Sequence, residues 1–588
     1  MSKNKVSNMP QYLPYSETVL KGMRTLREDD MLCDFTLTAD GVNFKVHRVL
    51  MAAVSDYFTA VFRSGMKETV KSTMHLKGVS AEGLQGVLDF IYSGILSVDS
   101  DSVLEVLDTA IHLQVQPVIE GCTNFFIQNL SLENIKDMQA ISDTYHLQDL
   151  KAANHKFLVR NFTKFANTEY FKNLPLNEAV KLIRDNSIRC KSEYKIFKLI
   201  WGWMKHNKED RACLASNFLK HLRLPFMKEA ELKELERLPF IKKNKHCRSY
   251  LEKARYFKEH PEKQALLEHP TFTIRSEEYV VAFGCSKVSM HCCVLFDGEW
   301  CPMDRALGQP RPFTNAAAKV VNNFLYVCGG QKHITAQCCS FNPYQGKWKA
   351  IACMSLPRRN FALASVGFNL YAIGGISRDT KLIEHVTDSV EVYSIEENTW
   401  KSTTSLDLKV ADLTSCTWKG KIFVAGGIDE NCCHLKDFKV FDPATEVWTK
   451  KCDIPAIKFR PAMFSTDKQI YLVDTYRSDG ANPQLERYDC HADQWSRITL
   501  NEVCFSRCFS ASLVDNWIYF VGCNDVDDGA SKRYNVKTGQ VENIKAYPWT
   551  IEAPLCVTMR LPYALLKKKL MRICDVKDGA SSCCCNSD

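Results

Sequence analysis

The stretch "NFLYVCGG", Asn323 to Gly330, reads as a β-strand running into two glycines, and "NLYAIGG", Asn369 to Gly375, repeats it. "KIFVAGG", Lys421 to Gly427, is a third copy. With tolerance the phrase recurs six times, at Gly284-Cys285, Gly329-Gly330, Gly374-Gly375, Gly426-Gly427, Asp474-Thr475 and Gly522-Cys523, with intervals of 45, 45, 52, 48 and 48 residues. A tryptophan follows each of the first five, at Trp300, Trp348, Trp400, Trp448 and Trp495, and Val541 stands in its place in the sixth unit. Two markers keeping one period predict a propeller of four-stranded blades, because a single blade cannot bury both of its faces and a closed ring can. The glycines let strands approach a neighbouring blade where a Cβ would collide, and the tryptophan fills the wedge between blades. The segment "APLCVTMRL", Ala553 to Leu561, is the expected last strand, pairing beside the first unit and leaving no open edge.

Upstream of Thr271 the texture differs. Apolar residues recur at helical spacing, as in "VLEVLDTAIHL" and "YKIFKLIWGWMKH", where Ile196, Ile200 and Trp203 share a face. One early exception, "CDFTLTADGVNFKV" from Cys33 to Val46, alternates around Asp40-Gly41 and predicts a β-hairpin. Residues Leu251 to Pro270 are charged and broken by Pro261 and Pro270, which suits a linker more than a core element.

At 588 residues the chain is too long for one core, and 45% hydrophobic with 24% charged residues is ordinary for a globular protein. No secretion signal or membrane span is read from the sequence, so the 26 cysteines are expected to be reduced thiols in an intracellular chain. A net charge of +8 without a basic block carrying interleaved aromatics argues against nucleic acid as a partner. No phosphate loop, nucleophile elbow or His-Glu-x-x-His helix is found, so the reading is of a non-catalytic protein with no catalytic residue and no cofactor. The adjacent pairs Cys292-Cys293, Cys338-Cys339 and Cys432-Cys433, two of them beside His291 and His434, do not suggest metal, since strand neighbours face opposite ways. Cys508 beside Arg507 is a candidate reactive thiol. The tail "KKKLMRICDVKDGASSCCCNSD" is read as solvated, with acylation of its cysteines as the alternative.

"YVCGG", "YAIGG" and "FVAGG" followed by "FNPYQGKW", "YSIEENTW" and "FDPATEVW" resemble kelch repeats. "LCDFTLTADGVNFKVHRVLMAAVSDYFTAVFRSGMKE", Leu32 to Glu68, is similar to a BTB domain, and "SEYKIFKLIWGWMKHNKEDR", Ser192 to Arg211, with "LRLPFM", Leu222 to Met227, to a BACK domain. The resemblance covers about residues 12 to 562. It implies a multidomain chain: an α/β BTB domain (12–130), an all-α BACK domain (131–250), a linker (251–272), an all-β six-bladed kelch propeller (273–562) and a basic, cysteine-rich tail (563–588).

The resemblance further implies a substrate adaptor of a cullin-3 RING ubiquitin ligase. Its BTB domain would form a homodimer and bind cullin-3 through Met66 and Glu68, with residues Asn124 to Ile141 widening that interface. A cytoskeletal, actin-associated scaffold is the alternative. The resemblance also implies that targets are held on the propeller face made by the loops after each Trp-bearing strand and the loops after each glycine pair. In this chain the former loops hold Arg311, Arg358, Arg359, Lys409, Lys458, Arg460 and Arg507. A ring of such cations suits an acidic segment of a target protein. The insertion Ile376 to Asp388 should overhang the same face. A cytoplasmic location is expected, with nuclear or cytoskeletal placement as alternatives and no integral membrane association.

Overall fold

The structure, a computed structural model, describes residues 15–563 and 566, apart from 64–71, 207–214, 286–289, 304–314, 331–333, 380, 459, 475–483, 501–508, 523–530, 546 and 548–551. The chain folds as two compact units, 1–160 and 161–588.

In the first unit the alternating run around Asp40-Gly41 forms the expected hairpin. Phe35–Ala39 pairs antiparallel with Val42–Val46, and both turn residues take positive φ, 46° and 80°, the backbone that matches the right-handed twist of a strand pair. Thr73–His75 joins parallel to Phe35–Ala39. Helices cover the sheet. Ala81–Ser93 starts where the Ser80 hydroxyl accepts the Gly83 N–H at 3.0 Å and stops at left-handed Gly94. Its Leu84, Val87, Leu88 and Ile91 are buried with Leu37, Val46, Met51, Phe58 and Leu107 in one core.

The second unit opens with helices, among them Leu176–Arg184, Glu193–His206 and Lys245–Glu259. The last corrects the expected linker: it continues to Glu259 and buries Leu251, Ala254 and Phe257, because its charged residues fall on the opposite side of a helical stripe. After it, Gln264 donates to the Phe257 carbonyl at 2.9 Å and accepts from Asn342 of the propeller at 3.0 Å. These helices are fastened to the first two blades. The Arg275 guanidinium, buried just ahead of blade one, pairs with Glu193 at 2.7 Å and donates to the Ile183 and Asp185 carbonyls. Arg189 grips Asp297 through two bonds of 2.7 and 2.5 Å, and Phe226 stacks on Tyr344 at 5.3 Å.

Among the described residues six four-stranded antiparallel sheets follow. Blade one takes Glu278–Cys285, Met290–Phe296 and Glu299–Pro302 from the start of the propeller and Glu552–Arg560 from its end, so the ring closes on a strand contributed by distant sequence. Blades two to six are each contiguous in the chain: blade two runs from Ala317 to Ile351, blade four from Thr414 to Lys450, blade five from Ala462 to Thr499 and blade six from Phe509 to Ile544, while blade three is Ala362–Val366, Asn369–Ile373, Val390–Ser394 and Thr399–Thr403. The tryptophans bond between blades as well as filling space. The indole N–H groups of Trp400, Trp448, Trp495 and Trp300 donate to the carbonyls of Ala352, Thr404, Cys452 and Lys545, each just past the fourth strand of the preceding blade. Blades five and six are complete four-stranded sheets despite their departures from the repeat.

Candidate site at the propeller mouth

The glycine pairs place the residues of interest. Gly330 N–H donates to the Arg358 carbonyl at 2.8 Å and Gly375 N–H to the Val410 carbonyl at 2.7 Å, so each blade holds the segment that enters the next one. A Cβ on Gly375 would lie 2.5 Å from the Phe361 Cβ, and φ is +99° there. The entry segments are thus pressed between blades, and in blades three, four and five the residue sixteen positions ahead of the glycine position, Arg358, Val410 and Lys458, is buried.

Two of the predicted target-binding residues occupy that buried position, and the prediction is corrected for both. Arg358 is fully buried: its guanidinium pairs with Glu391 at 2.8 Å and donates to the Gly374 carbonyl at 2.9 Å, the Ser389 carbonyl at 2.8 Å and the Ser389 hydroxyl at 2.7 Å. Glu391 also accepts from the Ser355 and Leu356 amides, which fixes the loop ahead of Arg358. Lys458 is buried between Glu486 at 3.5 Å and Asp474 at 3.6 Å, the latter standing where blades two to four have glycine. A buried cation needs such partners. In blade four the arrangement is inverted. Val410 replaces the inward cation, Lys439 stands at the third-strand position of Glu391 and Glu486, and Lys439 pairs with Asp407.

Two residues downstream, fourteen ahead of each glycine position, Asn315, Asn360, Asp412 and Arg460 all adopt left-handed φ, between 45° and 54°. Asn360 N–H donates to the Asn315 carbonyl at 3.2 Å and Asp412 N–H to the Asn360 carbonyl at 2.8 Å, a backbone rung passing from blade to blade. Asparagine and aspartate tolerate this conformation, and Arg460 is the unusual occupant.

The outward cations are matched by acids on the same face. Arg359 reaches Glu384 of the inserted loop at 2.6 Å, Lys409 reaches Glu430 at 2.9 Å, and Arg460 lies 3.9 Å from Asp412. Arg460 and Asp412 line a pocket of about 240 Å³ with Ile428, His434, Cys432 and Lys458. Burial raises the Asp412 carboxyl above the usual carboxylate range, with Arg460 and Asn360 opposing. Among the described residues the mouth is therefore a set of ion pairs instead of a bare cationic ring, suited to hydrogen bonding with a polar ligand surface. The acids of the buried pairs were missed in the sequence. The signal was there: Glu391 in "VEVYS" and Glu486 in "QLERYD" stand beside apolar strand residues and are themselves buried, which demands a cation.

Arg311, Arg507 and Cys508 lie outside the described residues, as do Met66 and Glu68 and residues 567–588 of the tail. The Met66–Glu68 segment follows helix Asp56–Arg63 and precedes strand Thr73–His75. Among the described residues no three His, Cys, Asp or Glu side chains gather to hold a metal, and no helix is long and apolar enough to cross a membrane. Cys292 and Cys293 are buried in different core clusters, as opposite faces of one strand require.

Family models match in the order of these elements: a BTB/POZ domain over 23–130, a BTB And C-terminal Kelch domain over 136–237, and Kelch motifs over 357–406 and 409–455. Kelch-like protein 26 of Mus musculus is 30% identical over 436 residues, 70% of this chain and 70% of that protein. The chain belongs to the kelch-like family. This kelch-like protein is also 28% identical to Kelch-like protein 26 of Danio rerio over 575 residues, 93% of each chain, and 31% identical to Kelch-like protein 9 of Mus musculus over 385 residues, 62% of this chain and 61% of that one.

Proposed function

We propose that this kelch-like protein is a substrate adaptor of a cullin-3 RING ubiquitin ligase. A BTB homodimer holds the cullin through Met66 and Glu68, the propeller mouth holds a target protein, and the chain itself catalyses nothing. The observation that carries the reading is the joining, in one chain, of a BTB domain to a closed propeller whose mouth presents polar residues on a rigid ring. Tethering is sufficient for such a role, since it raises the local concentration of target lysines near the charged conjugating enzyme. Arg460 contacts an acidic segment of the target, whose carboxylate takes the place of Asp412 as its partner, and Arg359 adds its charge nearby while staying bonded to Glu384. Exchanging one half-exposed ion pair for another gains little, so Arg460→Ala should weaken capture by only about 1 kcal/mol.

The test is a pulldown comparing the intact chain with Met66→Ala/Glu68→Ala. Cullin-3 should co-purify with the intact chain and be lost from the double variant. Its absence from the intact sample, or its indifference to the double change, would sink the adaptor reading or its assigned motif.

A further inference from the structure

The insertion in blade three forms a hairpin of its own, Ile376–Arg378 against Glu384–Val386, in a sheet of only two strands. Its hydrogen-bond parity is fixed at both ends. Thr387 N–H donates to the Gly375 carbonyl and Asp379 N–H to the Ile383 carbonyl, each at 3.0 Å, so 375/387, 377/385 and 379/383 are the bonded pairs. Residues 376 and 378 on one strand, and 384 and 386 on the other, consequently turn their N–H and C=O groups away from the hairpin. On the inner edge Ile376 exchanges both bonds with Arg359, at 2.9 and 3.0 Å. On the outer edge, among the described residues, no strand pairs with Glu384–Val386.

The hairpin is also held stiff. The Asp379 carboxylate accepts the amides of Lys381 and Ile383 at 2.8 and 2.9 Å, and Arg359 clamps Glu384. At its tip Leu382 is 69% and Ile383 59% exposed, two adjacent large apolar side chains in water. Asp379 is engaged within the hairpin and Glu384 by Arg359, while Arg378 and Lys381 form no ion pair among the described residues.

From this juxtaposition we propose that Glu384–Val386 receives an extended target peptide as a third strand, its apolar side chains seated on Leu382 and Ile383 and an acidic residue meeting Lys381 or Arg378. The proposal rests on the reading that the propeller recruits a target. Backbone pairing supplies affinity, and the apolar tip with its cations supplies selectivity. A preformed edge loses little conformational freedom on binding. A second copy of this chain is a poorer occupant, because two such tips brought edge to edge would oppose their own lysines and arginines.

The test uses the full chain to select 12-residue peptides from a random displayed library, then measures the synthetic peptides by fluorescence anisotropy. Enriched peptides should alternate apolar residues and carry an acid. Their affinity should fall at least tenfold in Val386→Pro, which removes an outward N–H and no internal bond, and in Leu382→Asp/Ile383→Asp, with little change in Lys401→Ala, an exposed residue on the fourth strand of blade three. Amide exchange at Glu384 and Val386 should slow on binding. If Val386→Pro does not fold, the tip variant and the exchange data decide. No enrichment, or peptides indifferent to the hairpin variants, overturns the proposal. Binding lost only in Arg460→Ala overturns it while leaving the mouth as the target site, and hairpin-dependent self-association in sedimentation overturns it in favour of a second copy.

Discussion

Arg358 holds its charge where no water reaches, and Glu391, two carbonyls and the Ser389 hydroxyl around it make that tolerable. Arg358→Ala would leave Glu391 buried without its cation, so urea denaturation should show a loss of about 3–5 kcal/mol. Any fall in target capture by that variant would report unfolding. Arg460→Ala carries no such penalty and is the substitution that reads out binding. His221 offers a second test at this scale. Burial, with Lys220, Arg184, Arg223 and Arg275 nearby, pulls its imidazole down to about 4 from an ordinary 6.5. The folded chain keeps this histidine neutral while the unfolded chain protonates it below pH 6.5, so acid favours unfolding. Stability should therefore fall as pH drops from about 6.5 to about 4 and gain nothing back below that, and His221→Gln should flatten this part of a melting-temperature profile.

At the level of strands and turns, the glycine pairs separate two physical effects. Gly375→Ala meets both a +99° φ and a Cβ contact of 2.5 Å, and should cost about 3 kcal/mol; Gly426→Ala meets a φ of +64° with its nearest neighbour at 3.6 Å, and should cost roughly 1–2 kcal/mol. Equilibrium unfolding of the two variants checks the ordering. What the sequence disclosed follows the same division. The hairpin at Asp40-Gly41, the glycine-tryptophan period and the closing strand were legible because each is written locally or by repetition. The inward turn of Arg358 and Lys458 was not, because it depends on partners 28 to 33 residues away in a third strand. A cation ahead of a strand looks the same in one-letter code whether it faces water or Glu391. Helix Lys245–Glu259 was misread because its charges were weighed and its Leu251, Ala254 and Phe257 stripe was not.

For the whole molecule, closure of the ring should decide cooperativity. Glu552–Arg560 buries Val557 and Met559 against blade one. A chain ending before Glu552 should expose the edge of Glu278–Cys285, and limited proteolysis should then cut within blades one and six before it cuts the middle blades. Equal resistance of intact and shortened chains would show that the blades stand without closure. The same strand has a consequence in time. During synthesis Glu278–Cys285 is made about 270 residues before its partner at Glu552, and at ~5–20 residues per second it waits for tens of seconds with one side unpaired. Every other blade can assemble as it emerges. The first to be translated is the last to be finished, and a nascent chain stalled anywhere in blades two to six keeps the edge of Glu278–Cys285 open.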